Sequence, residues 1–434
     1  MSKFRNTAMN PKAFHPIIPK RFLFAVLVGG FSCVVFAADW PQWRGPQRTG
    51  ISSEAGLLKE WPKAGPKLLW QVGEVGRGYS TPAVVGDRIY LEGNDSLTNE
   101  FVQALAVKDG KLIWRTRLGN VGNPKQEPNF PAARSTPTVD GEVLYALGSD
   151  GDLACVEKAT GKLRWQKSLR KDFGGKPGAW AYAESPLADR GTIVCTPGGA
   201  DATLVALNKE TGEVIWKCAV PGGDEAAYSS AVIGEIGGVK QYVQMLQGGL
   251  VGVEAGTGKF LWRYKKTVSQ FRANIPTPVM KDNLIYSAGA GTGGGLIKAP
   301  VGAGADPEQI YFSPKLPSAI GGCVLLGNYL YGTGQAMLCV EFATGTVKWE
   351  ERALGAASLC FAGDRLYLHG ENGEVALVEP TPAGYHEKGR FTPPNQPPKS
   401  NPMEKAWAYP VVANGRLYIR DHQMLCCYDV NSGG

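Results

Sequence analysis

Residues able to do chemistry are sparse, and their spacing excludes more than it suggests. Beyond the amino-terminal segment the histidines are His369, His386 and His422, with no HExxH pattern and no cysteine pairs at zinc-ligand spacing. No Gly-x-Ser-x-Gly elbow occurs either, which removes that hydrolase signature. The glycine run at 289–296 has a phosphate-loop composition, but it lies between two strand-like segments rather than opening a helix, so a plain strand connection is expected. What remains is a set of aromatic, basic and amide side chains: Arg77 with Tyr79, Arg134, Trp180 with Tyr182 and Glu184, Tyr228, Arg272 with Asn274, and Trp407 with Tyr409. His369, Glu371, Arg420, Asp421 and His422 join them. Flat rings beside guanidinium groups suit an anionic or sugar-like ligand, or a loop of a protein partner.

These residues recur at equivalent places in a repeat. A phrase running from a small residue through a Gly turn to Trp spans Ala104 to Trp114, Cys155 to Trp165, Ala206 to Trp216, Gly252 to Trp262 and Cys339 to Trp349, and begins again at Cys427. Its turn glycines are Gly110, Gly161, Gly212, Gly258, Gly345 and Gly433, and the last two intervals are double the others. Two degenerate units therefore lie at 285–312 and 366–391. Hairpin dipeptides such as Gly86-Asp87, Asp140-Gly141, Gly363-Asp364 and Asn414-Gly415 precede the phrases, each followed closely by Tyr. Every unit thus reads as four antiparallel strands, and six regular plus two degenerate units predict an all-β, eight-bladed β-propeller. The eighth unit has three strands. Lys67-Leu-Leu-Trp70, which reads like Lys111-Leu-Ile-Trp114, is expected to supply its fourth against the strand at Met424 to Tyr428.

The repeat also assigns loops to faces. First and third turns share one end of each blade and are tight. The second turns and the long connections at 119–133, 170–181 and 393–405 share the other. The aromatic and basic residues named above precede innermost strands, so they are expected to ring the mouth of the central channel on the loop-rich face.

The first 37 residues read as a secretory signal. Lys3, Arg5, Lys12, Lys20 and Arg21 precede the uncharged run from Phe22 to Ala38, with Val35 and Ala37 placed for cleavage after Ala37. The expected organisation is a signal peptide at 1–37, an extension at 38–64 and a propeller at 65–434. With no acidic residue before Asp39, the leader carries most of the +7 formal charge, which leaves little support for nucleic-acid binding. Export to a periplasmic or secreted location would favour disulfides. Yet Cys155, Cys339 and Cys427 take the small-residue position that Ala104, Ala206 and Gly252 fill elsewhere, so packing is the expectation.

The repeated phrase, together with the opening Asp39-Trp-Pro-Gln-Trp-Arg-Gly-Pro-Gln-Arg-Thr-Gly50, resembles the quinoprotein-like family of pyrroloquinoline-quinone-type propellers, in an exported bacterial branch related to the outer-membrane β-barrel assembly lipoprotein. That resemblance implies either an exported, non-catalytic scaffold binding a ligand or protein partner, or an alcohol or sugar dehydrogenase holding pyrroloquinoline quinone and Ca²⁺. For the dehydrogenase it would ask for a stacking Trp, oxygen ligands to Ca²⁺ and an Asp base, and no spacing here singles these out. Cys426-Cys427 resembles the adjacent-cysteine pair of such enzymes, but it lies within a predicted strand.

Overall fold

The computed structural model describes residues 38–126, 133–399 and 404–433. The expected signal segment at 1–37 lies outside the described residues. The described residues form eight four-stranded antiparallel sheets. Seven are built from consecutive strands, at 83–119, 138–168, 187–218, 232–264, 279–313, 323–351 and 357–391. They are numbered here as blades 1 to 7. In blade 8 the strands Val411–Ala413, Arg416–Asp421 and Met424–Asp429 are completed by Lys67–Val72. Leu68 lies opposite Tyr428 and Trp70 opposite Cys427, so the ring closes as the repeat requires. One short helix, Leu169–Phe173, is capped by the Ser168 side chain.

The repeat phrase is the lock between blades. Trp114 Nε1 donates to the Lys158 carbonyl of blade 2 at 3.1 Å, Trp165 Nε1 to Lys209 O at 3.1 Å, and Trp216 Nε1 to Ala255 O at 3.0 Å. Across the closure Trp70 Nε1 reaches Val107 O at 3.0 Å. Each indole lies over the turn glycine of the next blade. A Cβ on Gly161 would sit 2.4 Å from Trp114, and its φ of +73° already disfavours other residues. Trp, Thr-Gly turn and small residue are therefore one packing unit.

The degenerate blades keep the lock by other means. In blade 5 Tyr311 stands in the register of the missing Trp, opposite Leu296, and its hydroxyl donates to Phe342 O at 2.9 Å. In blade 7 the register position opposite Leu377 is Gly389. Trp61, from the segment ahead of the first strand, packs against it so closely that a Cβ on Gly389 would lie 2.6 Å from the Trp61 Cβ. The Trp61 ring meets Tyr367 at 5.8 Å, the ring pairing that Trp114 makes with Tyr90 at 6.1 Å.

Within the expected extension at 38–64, residues 40–54 run along the innermost strands that line the channel. Trp40 bridges Val84 of blade 1, and Pro41 O accepts from Val139 N of blade 2. Arg48 is 4% exposed and donates to Ala231 O at 2.8 Å, Ser185 O at 2.9 Å and Pro186 O, tying blades 3 and 4. Trp43 reaches Thr277 ahead of blade 5, and Arg44 donates to Cys323 O of blade 6. Ile51 bridges Phe361 of blade 7, and Glu54 accepts from the Asn414 and Gly415 amides of blade 8. One segment thus bonds to every blade or to the turn that enters it. All eight described cysteines are buried and unbridged, Cys426 and Cys427 among them.

Candidate functional site

On the loop-rich face the connections entering the innermost strands surround a cavity of about 450 Å³. Tyr79 comes from the connection into blade 1, Arg134 from that into blade 2, Trp180 from blade 3 and Tyr228 from blade 4. Trp407 and Tyr409 come from the connection into blade 8. These six expected residues line one space, with Glu371 from the second turn of blade 7. The rings support each other: Tyr79 meets Trp407 at 5.2 Å, and Trp180 meets Tyr228 edge-on at 5.6 Å.

Six lining residues were not singled out from sequence: Trp43, Ala183, Ala273, Ile275, Ile320 and Lys405. Trp43 rises from the channel segment and packs edge-on against Tyr409 at 4.6 Å. Its only sequence signal was the Trp-rich opening phrase, which by itself says nothing about location.

Four of these rings have their polar atoms engaged inside the protein. Trp43 Nε1 donates to Thr277 Oγ1 at 2.9 Å and Tyr409 OH to Ile320 O at 2.8 Å. Trp407 Nε1 donates to Glu371 Oε1 at 3.1 Å, and Tyr228 OH accepts from Trp180 N at 3.2 Å. Arg134 donates to Trp180 O at 2.6 Å, so it braces the rim as well as charging it. The inner wall is consequently apolar, and charge is confined to Arg134, Glu371 and Lys405.

The other expected residues are placed elsewhere. Tyr182 is 1% exposed in the core, with its hydroxyl donating to Pro197 O at 2.8 Å. Glu184 is buried beneath the rim, accepting from Thr196 N and from Gln244 Nε2. Burial raises its carboxyl to about 7, and Arg48 partly opposes the rise. Asn274 is a bracket: its amide donates to Leu246 O at 2.9 Å and its carbonyl accepts from Ser269 N at 2.7 Å. Arg272 sits on the surface at φ +57°, paired with Glu225 at 2.6 Å. Arg77 lines a separate shallow depression with Glu404 and His422.

The residues at the second turn of blade 8 are fully interior. Arg420 is 0% exposed and donates to the carbonyls of Ser80, Glu92, Gly76 and His422, which makes it a strut between blades 8 and 1. Burial pulls it down to about 9. Asp421, His422 and His369 are buried behind the Tyr79–Trp407 wall. His422 packs on Tyr79 at 5.2 Å, and His369 Nδ1 lies 2.9 Å from Ala408 O. Burial lowers both imidazoles below their usual value. Periodicity locates a strand end, but it cannot tell a residue facing the mouth from one turned into the inter-blade core.

Eight four-stranded blades, most of them carrying the Trp–Gly repeat, that open at one end in a loop-lined cavity define a quinoprotein-like β-propeller. The match to known families is more specific. The chain belongs to the family described as outer membrane protein assembly factor BamB, whose model matches residues 47–178 and 98–351. Among curated relatives, BamB of Moranella endobia is 28% identical over 124 residues, 27% of this chain and 31% of that protein. The quinoprotein alcohol dehydrogenase PedH of Pseudomonas putida is 27% identical over 285 residues, 61% of this chain and 45% of that protein. The chain thus spans less than a third of that BamB and under half of PedH. Among solved structures, BamB from Moraxella catarrhalis superposes with a TM-score of 0.58 at 14% identity, covering 84% of this chain and 99% of that one. A europium-containing methanol dehydrogenase gives 0.60 at 11% identity, covering 88% and 89%. At such identities the likeness is one of fold.

Proposed function

We propose that this protein is an exported binding scaffold that receives a small ligand or a partner's loop in the mouth cavity and catalyses no reaction there. The observation that carries this is the cavity wall: aromatic rings from four connections and the channel segment converge, and the polar atoms of Trp43, Tyr228, Trp407 and Tyr409 are engaged internally. Rigid rings on a rigid scaffold give a site for recognition.

The dehydrogenase reading asks for more than stacking. Ca²⁺ takes six to eight oxygen ligands, and a base must reach the substrate. The cavity offers one carboxylate, Glu371, which already accepts from Trp407. Among the described residues no group of three or more His, Cys, Asp or Glu is arranged to hold a metal ion. The residues do not fit quinone and calcium together, and no step is derived through them. No helix among the described residues is long and apolar enough to cross a membrane. Export rests on the signal-like leader.

A thermal-shift screen of the mature protein against aryl acids, simple sugars and pyrroloquinoline quinone with Ca²⁺ tests the reading. A ligand that binds only the folded state raises the melting temperature with concentration. The expected result is a saturable rise for at least one class, removed by Trp407→Ala. A shift that survives Trp407→Ala would place binding elsewhere, and no shift with any class would count against a ligand site.

A further inference from the structure

We propose that the cavity takes a small, flat, apolar ring bearing one acidic group, with the ring inward on Trp43 and the acid outward against Lys405. This rests on the mouth-cavity reading and narrows it to one ligand chemistry. Trp43, Tyr409 and Trp407 already donate to Thr277, Ile320 and Glu371. A sugar presents several hydroxyls that each want a partner, and leaving them unpaired in a dry pocket is costly. The inner wall has few partners to give. A ring with several acids needs several cations, and here Glu371 offsets one of the two available.

The remaining charge has a direction. Arg134 is tied to Trp180 O, and Glu371 accepts from Trp407. Lys405 lines the cavity, is half-buried, and makes no hydrogen bond or ion pair among the described residues. An ammonium with its three donors available at the rim of an apolar cup matches a single anionic group facing outward. Ile275 and Ile320 fill gaps between the aromatic planes with more apolar surface. A volume of about 450 Å³ is in the range of small-molecule sites and suits a compound of roughly two or three rings.

Trp43 gives the site its depth. It is held by Thr277 and Tyr409, and the neighbouring Arg44 anchors the segment to blade 6. The protein's own channel segment thus supplies part of the cavity wall.

Two fluorescent probes separate the contributions. Anilinonaphthalene sulfonate carries the rings and one anion; N-phenylnaphthylamine carries the same rings and no charge. Wild-type protein is expected to bind one sulfonate probe per chain, about tenfold more tightly than the neutral one. Lys405→Gln should weaken the sulfonate probe about tenfold and change the neutral probe less than twofold. Trp43→Ala should weaken both. Should that variant not fold, Ile320→Trp fills the cup without touching the channel segment and should abolish both. If Ile320→Trp abolishes binding but Lys405→Gln affects the two probes equally, the acid-outward assignment is wrong while the cavity reading stands. If both probes bind Ile320→Trp as they bind the wild type, the cavity reading falls as well. Displacement of the sulfonate probe by methyl glucoside at equal concentration would also overturn the assignment.

Discussion

At the scale of single residues, Arg134 and Arg420 show how one residue type takes two roles. Arg134 stands at the rim and donates to Trp180 O, whereas Arg420 has no exposed surface and holds four carbonyls. Arg134→Ala is expected to leave the melting temperature nearly unchanged and to weaken binding of an anionic ligand by less than the roughly tenfold expected for Lys405→Gln, because its guanidinium is held by Trp180 O. Arg420→Ala strands buried carbonyls and should destabilise the fold by about 3–5 kcal/mol, measured by urea unfolding. Glu100 supplies a pH signature. It is fully buried and accepts from Ser149 N at 3.0 Å, and burial raises its carboxyl from 4.5 to about 7. Protonated Glu100 therefore stabilises the fold below about pH 4.5, and this is lost as pH rises through about 7. Glu100→Gln should flatten the stability profile between those values by on the order of 2–3 kcal/mol. An unchanged profile would mean that Glu100 stays ionised in the fold.

At the scale of elements, the Trp lock explains why so much of the ring was legible. Strand, glycine turn and tryptophan lie within one short phrase, so a local pattern reports a contact between neighbouring blades. Blades 5 and 7 were still traceable from the doubled spacing of the turn glycines, but their substitutes were not. Tyr311 replaces the indole with a different residue, and Trp61 reaches Gly389 from the far end of the chain. Nothing local marks that meeting. Trp61→Ala is expected to cost about 3–5 kcal/mol, as loss of a buried aromatic in a core does, even though the residue precedes every blade strand. A loss below 1 kcal/mol would show that Trp61 merely rests on blade 7. The site was half legible for a related reason. Position before an innermost strand can be read from the repeat, and it brought Tyr79, Arg134, Trp180, Tyr228, Trp407 and Tyr409 to one cavity. Direction of the side chain cannot be read so, which is why Tyr182, Glu184 and Asn274 are interior brackets.

At the scale of the whole molecule, the channel segment turns a ring into a cup. Its bonds join residues 279 apart in sequence at Arg44–Cys323 and 183 apart at Arg48–Ala231, distances at which no periodicity carries information. The closing strand and this segment belong to one stretch, so deleting residues 38–71 should lower stability far more than removal of a surface tail. A truncated protein that melts like the mature chain would refute both the closure and the channel roles. Under the function proposed above, the face bearing the cup recognises a ligand and runs no quinone chemistry. Reconstitution tests it most directly. Mature protein is incubated with pyrroloquinoline quinone and Ca²⁺, freed of unbound cofactor, and assayed for alcohol-dependent dye reduction. The account predicts no turnover above the protein-free control; saturable quinone binding with sustained dye reduction would contradict it.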